Sequence, residues 1–389
     1  MACRRRGGPP PSCFPTQRET FDLRLAIATD AWAPQTNGVV TTLKATVETL
    51  TRLGHQVRVI SPQGMFSIPA PSYPEIRLAV WPVPHIRREM RAFQPHAIHI
   101  ATEGPLGLAM WRYCRHRRVP FTTSYHTRYP EYLRARWPIP IDVSYAWLRR
   151  FHGGATRTFV SSGSLDRQLT ERGFQHLHLW RRGVDLKRFH PGAAHPEVAD
   201  LPRPVMAYVG RLAVEKNIGA FLDLQVPGTK LVIGDGPQRA ELAARHPDVK
   251  FAGYRHGDEL ANMVGSADVL VFPSLTDTFG LAMIEALACG VPVAAFPVPG
   301  PIDVIEQGVT GVLHEDLAVA VRSALKLDRS VCARHATAFT WDAATEQFLA
   351  GLEPIPQALR ATLAVRRSSV IIARMFARKP AANGTGDAN

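Results

Sequence analysis

Thr276-Asp277-Thr278-Phe279-Gly280-Leu281-Ala282-Met283-Ile284-Glu285-Ala286-Leu287-Ala288-Cys289-Gly290-Val291-Pro292-Val293 decides how this chain is read. An apolar run at 269–272 precedes it and another at 292–295 closes it, so the unit is strand, glycine-bearing turn, helix, strand. In a parallel α/β sheet such a turn lies at the carboxyl ends of the strands, where ligands bind. Backbone N–H groups from 278 to 281 have no partner inside a helix that begins there, and they offer a diphosphate a site. Glu285 stands about one turn into the helix. Side chains lean toward a helix N-terminus, so its carboxylate reaches back toward the same ligand. A carboxylate beside a bound anion suits sugar or ribose hydroxyls better than phosphate, which makes the unit a candidate nucleotide-sugar site. Asp277 also has a plainer reading as the N-cap of the helix. Glu285 also has a plainer reading, as a satisfied polar residue on an apolar helix, but this fits less well because Leu281, Ala282, Met283, Ile284, Ala286 and Leu287 surround it.

Outward from this unit the same alternation continues. Strands are expected at 205–209, 230–233 and 249–251 before it, with helices between them. An earlier series has strands at 23–28, 56–60, 75–80, 97–100, 121–124 and 157–160, again separated by helical stretches. Short strands alternating with helices of about 10 to 15 residues indicate doubly wound parallel sheets. The 389 residues exceed one ordinary core, and a Pro-rich stretch at 190–204 interrupts the pattern. The expected organisation is a leader at 1–22, a Rossmann-like domain at 23–190, a second at 191–350, and a basic tail at 351–389. The leader and the end of the tail (380–389) are expected to be disordered.

The formal charge is +13, unevenly placed. Residues 1–190 carry 28 Lys and Arg against 12 Asp and Glu, a formal +16, whereas residues 191–389 carry 18 against 21, a formal −3. Such asymmetry points the first half at an anionic partner, a membrane surface or a nucleic acid. The stretch 132–151 interleaves Tyr132, Trp137, Tyr145, Trp147 and Phe151 with Arg134, Arg136, Arg149 and Arg150, which suits the head-group level of an anionic bilayer. A core-facing helix with a solvated basic side would give the same pattern. Five scattered cysteines without a Cys-x-x-Cys pair argue against a disulfide framework or a zinc site and fit a reducing compartment. No signal peptide and no apolar run of 18 residues is visible, so the expected location is cytoplasmic, peripheral at the inner face of the membrane.

Other strand ends carry chemistry as well. Gly210-Arg211-Leu212-Ala213-Val214-Glu215-Lys216-Asn217 follows a strand, and Arg211 and Lys216 there can neutralise a departing diphosphate. Gly234-Asp235-Gly236-Pro237 follows the next strand and is expected to act through backbone shape rather than through the Asp235 carboxylate. In the first half, Thr123-Ser124-Tyr125-His126-Thr127-Arg128-Tyr129 puts His126 at the ligand edge of the sheet. Gly38, after Asn37, lets backbone approach a ligand closely or serves a helix cap. Glu103 and Tyr129 are acceptor-side candidates. No Asp-x-Asp or His-Glu-x-x-His occurs, so no metal or other cofactor is expected, and charge neutralisation falls to Arg211, Lys216 and helix dipoles.

At these residues the chain resembles the retaining family-4 glycosyltransferases of the two-lobed GT-B fold, over roughly residues 23–350. The strongest matches are Gly210-Arg211 through Glu215-Lys216-Asn217 and the Glu-x7-Glu-type segment at 277–285. Thr29-Asp30-Ala31-Trp32 through Asn37-Gly38-Val39, Ala101-Thr102-Glu103-Gly104-Pro105-Leu106-Gly107 and Ser124-Tyr125-His126-Thr127 agree with bacterial lipid glycosyltransferases and GDP-mannose-dependent α-mannosyltransferases. Asp277 stands where the family usually opens its motif with Glu. The resemblance implies two Rossmann-like lobes facing across a cleft. It implies that Arg211 and Lys216 bind the donor diphosphate and that Glu285 holds the ribose. Asp277 with the Phe279, Gly280 and Leu281 amides would contact the transferred sugar or phosphate, His126 would face the reacting sugar, and Gly38 would shape the loop near the diphosphate. The activity implied is metal-independent, retaining transfer of a hexose from a UDP- or GDP-sugar to a membrane lipid such as diacylglycerol, with no nucleic-acid partner. The alternatives are a GDP-mannose-dependent α-mannosyltransferase acting on a phosphatidylinositol-type or soluble polyol acceptor, a nucleotide-sugar epimerase, and a non-catalytic binding module.

Overall fold

In the first strand, β1 (Arg24–Ala28), Leu25 and Ile27 pack on one side and Ala26 and Ala28 on the other, all fully buried. Burial on both faces is what a parallel sheet covered by helices requires. The computed structural model describes residues 22–70, 73–136, 139–192 and 195–364. Residues 1–21 of the expected leader, Trp137, and the tail beyond 364 lie outside the described residues.

After β1 come α1 (Gly38–Arg52), β2 (Gln56–Ile60), β3 (Ser67–Ala70), β4 (Tyr73–Ala79), α2 (Val83–Phe93), β5 (Ala97–Ile100) and α3 (Pro105–Arg117). The first lobe continues with β6 (Thr122–Ser124), α4 (Tyr129–Arg136), α5 (Ile141–His152), β7 (Arg157–Val160), α6 (Gly163–Glu171) and β8 (Leu177–Leu179). A short helix, α7 (Pro196–Ala199), leads to β9 (Val205–Val209), a 3-10 turn (Val214–Lys216), α8 (Gly219–Leu222), β10 (Thr229–Ile233), α9 (Arg239–Arg245) and β11 (Lys250–Gly253). Then follow α10 (Gly257–Gly265), β12 (Val269–Phe272), α11 (Leu281–Ala288), β13 (Val293–Ala295), α12 (Pro301–Val304) and β14 (Gly311–Leu313). Four helices end the described chain: α13 (Leu317–Ala324), α14 (Arg329–Ala336), α15 (Trp341–Gly351) and α16 (Gln357–Ala364).

The strands form two all-parallel sheets, β2-β1-β5-β6-β7-β8 and β11-β10-β9-β12-β13-β14. The order reverses between β1 and β5 in one sheet and between β9 and β12 in the other, and a crevice opens beyond the strand ends at each reversal. The two Rossmann-like lobes turn these crevices toward each other.

Three features depart from the sequence expectation. The strand at 75–80 is not part of the parallel sheet; as β4 it pairs antiparallel with β3 in a separate hairpin. Pro69 and Pro74 lack the N–H that an interior strand must donate on both sides, so this segment suits a two-stranded ribbon. The strands β8 and β14 are each three residues long, too short to carry a periodic signal. Of the described aromatic residues in the basic stretch, Tyr145 and Phe151 are core and Trp147 is substantially exposed.

The chain crosses between lobes twice, side by side. Val184, Phe189 and Val198 already pack in the core around β9 and β12. On the return, Val184 N–H donates to the Phe339 carbonyl at 3.0 Å, and a β carbon on Gly183 would lie 2.4 Å from the Trp341 nitrogen. Phe348, Leu352, Ile355 and Leu363 then bury themselves in the first lobe. Among the described residues no helix is long and apolar enough to cross a membrane.

Candidate active site

A cleft of about 1580 Å³ separates the lobes, lined by the loops after β1, β5 and β6 on one side and after β9, β10 and β12 on the other. On the second lobe, two loops clasp each other through backbone: Leu212 N–H donates to the Asp235 carbonyl at 2.9 Å and Gly210 N–H to the Ile233 carbonyl at 3.0 Å. A β carbon at Gly234 would stand 1.9 Å from the Gly210 oxygen, so only glycine permits this approach. The Asp235 carboxylate turns to Arg239 at 2.7 Å and the Gly236 N–H at 2.7 Å.

The 3-10 turn that follows is fastened to the loop after β12. Asn217 Nδ2 donates to the Pro273 carbonyl at 3.0 Å and Thr276 Oγ1 to the Glu215 carbonyl at 3.1 Å. This brings Lys216 Nζ within 2.5 Å of Asp277 Oδ1. Asp277 therefore pairs with Lys216 rather than capping α11; the N-cap is Gly280, at φ 88°, with no side-chain cap. The first amides of α11 stay uncapped at the cleft, where Phe279, Gly280, Leu281 and Arg211 are also found. Glu285, half-buried one turn on, has its carboxyl pushed up to about 7 by burial. Among the described residues it accepts no hydrogen bond, so its oxygens are available to a ligand.

On the first lobe, Asp30 joins two loops. Its carboxylate accepts from Leu106 N–H at 2.8 Å, Gly107 N–H at 3.1 Å and Thr102 Oγ1 at 2.8 Å. It thus caps α3 from the loop after β1, and a β carbon on Gly104 would collide with it at 2.5 Å. Gly38 opens α1, whose N-cap Asn37 accepts from Val39 and Val40 N–H, each at 3.0 Å. Across the cleft a β carbon at Gly38 would lie 3.8 Å from Leu281, so the starts of α1 and α11 face one another. Tyr129 lines the cleft. Glu103 does not; it is buried beneath it, its Oε1 3.2 Å from His152 Nε2.

His126 is buried at the cleft wall, and Arg182 Nη2 lies 3.1 Å from its Nδ1. An arginine can only donate, so Nδ1 accepts and the neutral ring carries its proton on Nε2. Among the described residues that Nε2 has no hydrogen-bond partner. Burial, then the Arg182 charge, holds the imidazole well below its ordinary pKa. Arg182 itself is buried without a carboxylate partner among the described residues. It donates to the Trp180 carbonyl at 2.7 Å and lies 4.4 Å over the Trp180 ring. Burial brings its pKa down to about 9, so it stays protonated at neutral pH.

The lobes touch at this point. Thr278 Oγ1 donates to the His126 carbonyl at 2.9 Å and Ser161 Oγ to the Thr278 carbonyl at 2.8 Å. Tyr132, from α4, reaches the group formed by Lys216, Asp277 and Thr276, and burial raises its hydroxyl pKa to about 12. Sequence reasoning singled out neither Arg182 nor Tyr132 as a site residue. For Arg182 the available signal was the end of β8; Tyr132 was absorbed into the basic aromatic stretch. Among the described residues, no cluster of three His, Cys, Asp or Glu side chains could hold a metal ion.

Comparison with known proteins sets this geometry in a family. Residues 36–188 match the family model "Glycosyltransferase Family 4" and residues 203–327 match "Glycosyl transferases group 1". The chain is 32% identical over 315 residues to a GDP-mannose-dependent α-mannosyltransferase of Mycobacterium tuberculosis, covering 75% of this chain and 83% of that protein. An enzyme of the same name from Corynebacterium glutamicum is 30% identical over 320 residues, covering 75% and 76%. Among solved structures, the sucrose-phosphate synthase of Thermosynechococcus elongatus superposes with a TM-score of 0.70 at 19% identity, over 91% of this chain and 99% of that one. The chain belongs to the family-4 glycosyltransferases of the GT-B fold, related to the bacterial GDP-mannose-dependent α-mannosyltransferases, and is a nucleotide-sugar-dependent glycosyltransferase.

Proposed function

We propose that the chain is a retaining GDP-mannose-dependent α-mannosyltransferase acting on a hydroxyl of a polyol head group. The observation that carries the choice of donor is the identity of nearly a third, over three quarters of the chain, with an enzyme named for GDP-mannose. The same relation favours mannosyl transfer over hexosyl transfer to diacylglycerol, the first expectation from sequence.

The roles follow from the chemistry of the cleft. Arg211 and Lys216 meet the diphosphate, with Lys216 shared between it and Asp277. The uncapped start of α11 adds N–H donors from Phe279, Gly280 and Leu281 to the same charge. Glu285 binds ribose hydroxyls; a polar ligand that accepts or donates there also relieves its desolvation. His126 Nε2–H donates to a hydroxyl of the mannose, and Gly38 leaves room for the sugar between α1 and α11. In the reaction the bond from the mannose anomeric carbon to the phosphate oxygen breaks. A bond to the acceptor oxygen forms on the same face, and the acceptor's proton passes to the departing phosphate. The protein supplies position and fixed charge rather than a nucleophile, and closure of the lobes keeps water out.

Thermal shifts with GDP and UDP, followed by a donor panel with product identification, test the reading. GDP should stabilise the protein more than UDP, and mannose should be the sugar transferred. Stabilisation by UDP alone, or transfer from UDP-sugars only, would overturn it.

A further inference from the structure

The loop between β12 and α11 is stitched to both lobes in turn. Up to Thr276 it is fastened within the second lobe, where Asn217 holds the Pro273 carbonyl and Thr276 holds the Glu215 carbonyl. Two residues on, it crosses to the first lobe. The Thr278 hydroxyl donates to the His126 carbonyl at 2.9 Å, and the Thr278 carbonyl accepts from Ser161 Oγ at 2.8 Å. Ser161 is fully buried just after β7, which shields this bond from competing water. Gly280, at φ 88°, then turns the chain back into α11; a β carbon there would stand 2.7 Å from Phe272 and Met283. The seam between the lobes continues at α12. Asp303 accepts from the Ser164 N–H at 2.9 Å and from the Ser164 hydroxyl, helping to cap α6 of the first lobe. A β carbon at Gly300 would lie 3.1 Å from the Asp277 carbonyl oxygen, so the segment that carries Asp303 backs the donor loop directly.

These bonds set the spacing of two groups that a donor meets at once. The amides of Phe279, Gly280 and Leu281 follow Thr278 immediately, and the residue whose carbonyl Thr278 holds is the one whose imidazole lines the cleft. Among the described residues no backbone N–H donates to the His126 carbonyl, so the Thr278 hydroxyl is what fixes it. The crossing at Val184 and Phe339 joins the lobes as wholes, yet a slight rotation about it would part His126 from α11 without a local tie. We propose that Thr278 is a positioning residue whose hydroxyl sets the His126 imidazole against the sugar of the bound donor, with Ser161 holding the same residue from the first lobe. Through it, the amides that take the diphosphate and the ring that takes the sugar keep one geometry. Neutral hydroxyl bonds suit this duty, because each is weak enough to break and reform as the lobes part for product release. The role rests on the reading above, in which His126 donates to the sugar.

The test measures the sugar's share of donor binding, by calorimetric titration of the full chain with GDP and with GDP-mannose. Thr278→Val keeps the backbone and the side-chain volume, and GDP lacks the group that His126 meets, so its affinity should stay within about twofold. Affinity for GDP-mannose relative to GDP should fall by about 2- to 10-fold, the worth of one neutral hydrogen bond. Thr278→Ser retains the hydroxyl and should keep the wild-type ratio, whereas Ser161→Ala should lower it. His126→Phe should lose the sugar's share outright, and adding Thr278→Val to it should change the ratio no further. Circular dichroism and thermal unfolding check the fold of each variant. A ratio unchanged in Thr278→Val, an equal loss for GDP and GDP-mannose, or a loss that adds in full to that of His126→Phe would overturn the role. So would a ratio that His126→Phe leaves unchanged, since His126 would then not meet the sugar. The same series with UDP and UDP-glucose separates this role from the choice of donor. Binding confined to the uridine pair would sink the GDP-mannose assignment, while the ratio within that pair would still decide for or against Thr278.

Discussion

Arg182→Met should separate activity from stability. The guanidinium fixes the His126 tautomer through one bond, at 3.1 Å, and otherwise holds the Trp180 carbonyl and ring and, at 3.5 Å, the Arg181 carbonyl. Methionine keeps most of the buried volume and removes the charge. A hydrogen bond from a charged donor is worth about 1.5 to 3 kcal/mol. If His126 contacts the transferred sugar, its misorientation should lower kcat/KM roughly 10- to 150-fold. On the stability side the lost bonds are offset, because a buried charge without a carboxylate partner carries a desolvation cost of several kcal/mol. The net change in unfolding free energy should stay within about 2 kcal/mol. The assay is steady-state kinetics from about pH 5 to 8, alongside thermal unfolding. A 15N spectrum of the imidazoles, assigned by difference with His126→Gln, reads the tautomer directly. The wild type should show a proton on Nε2 and none on Nδ1. In the variant the ring, freed of the neighbouring cation, should titrate closer to its ordinary value, so activity gains an acidic limb. A proton on Nδ1 in the wild type would refute the reasoning. So would a loss of stability as large as the loss of activity, with no change in pH profile.

Lys216→Ala should cost about 10²-fold or more in kcat with little change in fold, since its partner Asp277 is near the surface of the cleft; unchanged turnover would remove Lys216 from the site. Glu285→Gln should stabilise the ligand-free protein most above neutral pH. The folded pKa of about 7 exceeds the ordinary 4.5, so the stability that Glu285 contributes is present at pH 4 and lost as pH rises through 7. The difference in melting temperature between variant and wild type should therefore grow from pH 5 to 8, while ribonucleotide binding weakens. His99 and His126 have the opposite sign. Both are held neutral by burial, His99 at about 3, so stability should fall as pH drops below 6.5, by up to about 1.4 kcal/mol per pH unit for each; a shallower acid slope in His99→Gln checks this. Asp30→Ala strands two buried N–H groups and should destabilise the first lobe by about 3 kcal/mol, measured by urea unfolding.

Much of this architecture is legible in the chain because parallel strands buried on both faces are written as short unbroken apolar runs. Val269–Phe272 and Ala97–Ile100 are examples, and their bounds agree with expectation residue for residue. Loops that follow such runs then identify themselves as a ligand edge, which is how Arg211, Lys216, Asp277, Glu285 and His126 come to be named. Pairing is not legible. Lys216 and Asp277 are 61 residues apart, and nothing local says that the turn at 214–216 will be stitched to 273–276 by side chain-to-backbone bonds. Arg182 escapes because the strand before it has three residues, one of them His178, and offers no period. Asp30 shows the reverse case. Two stretches that carry the family resemblance, 29–32 and 101–107, can be quoted separately from the sequence, yet one carboxylate makes them a single structural unit.

The double crossing at Val184 and Phe339 has a consequence for biosynthesis. The second sheet and its helices lie in one uninterrupted stretch of chain, so they can complete their core as soon as that stretch has left the ribosome. The first lobe cannot. Its core waits for Phe348, Leu352, Ile355 and Leu363, which are synthesised after the whole of the second lobe. The first lobe is therefore the later one to mature, and its side of the cleft is finished only after the second lobe has been made.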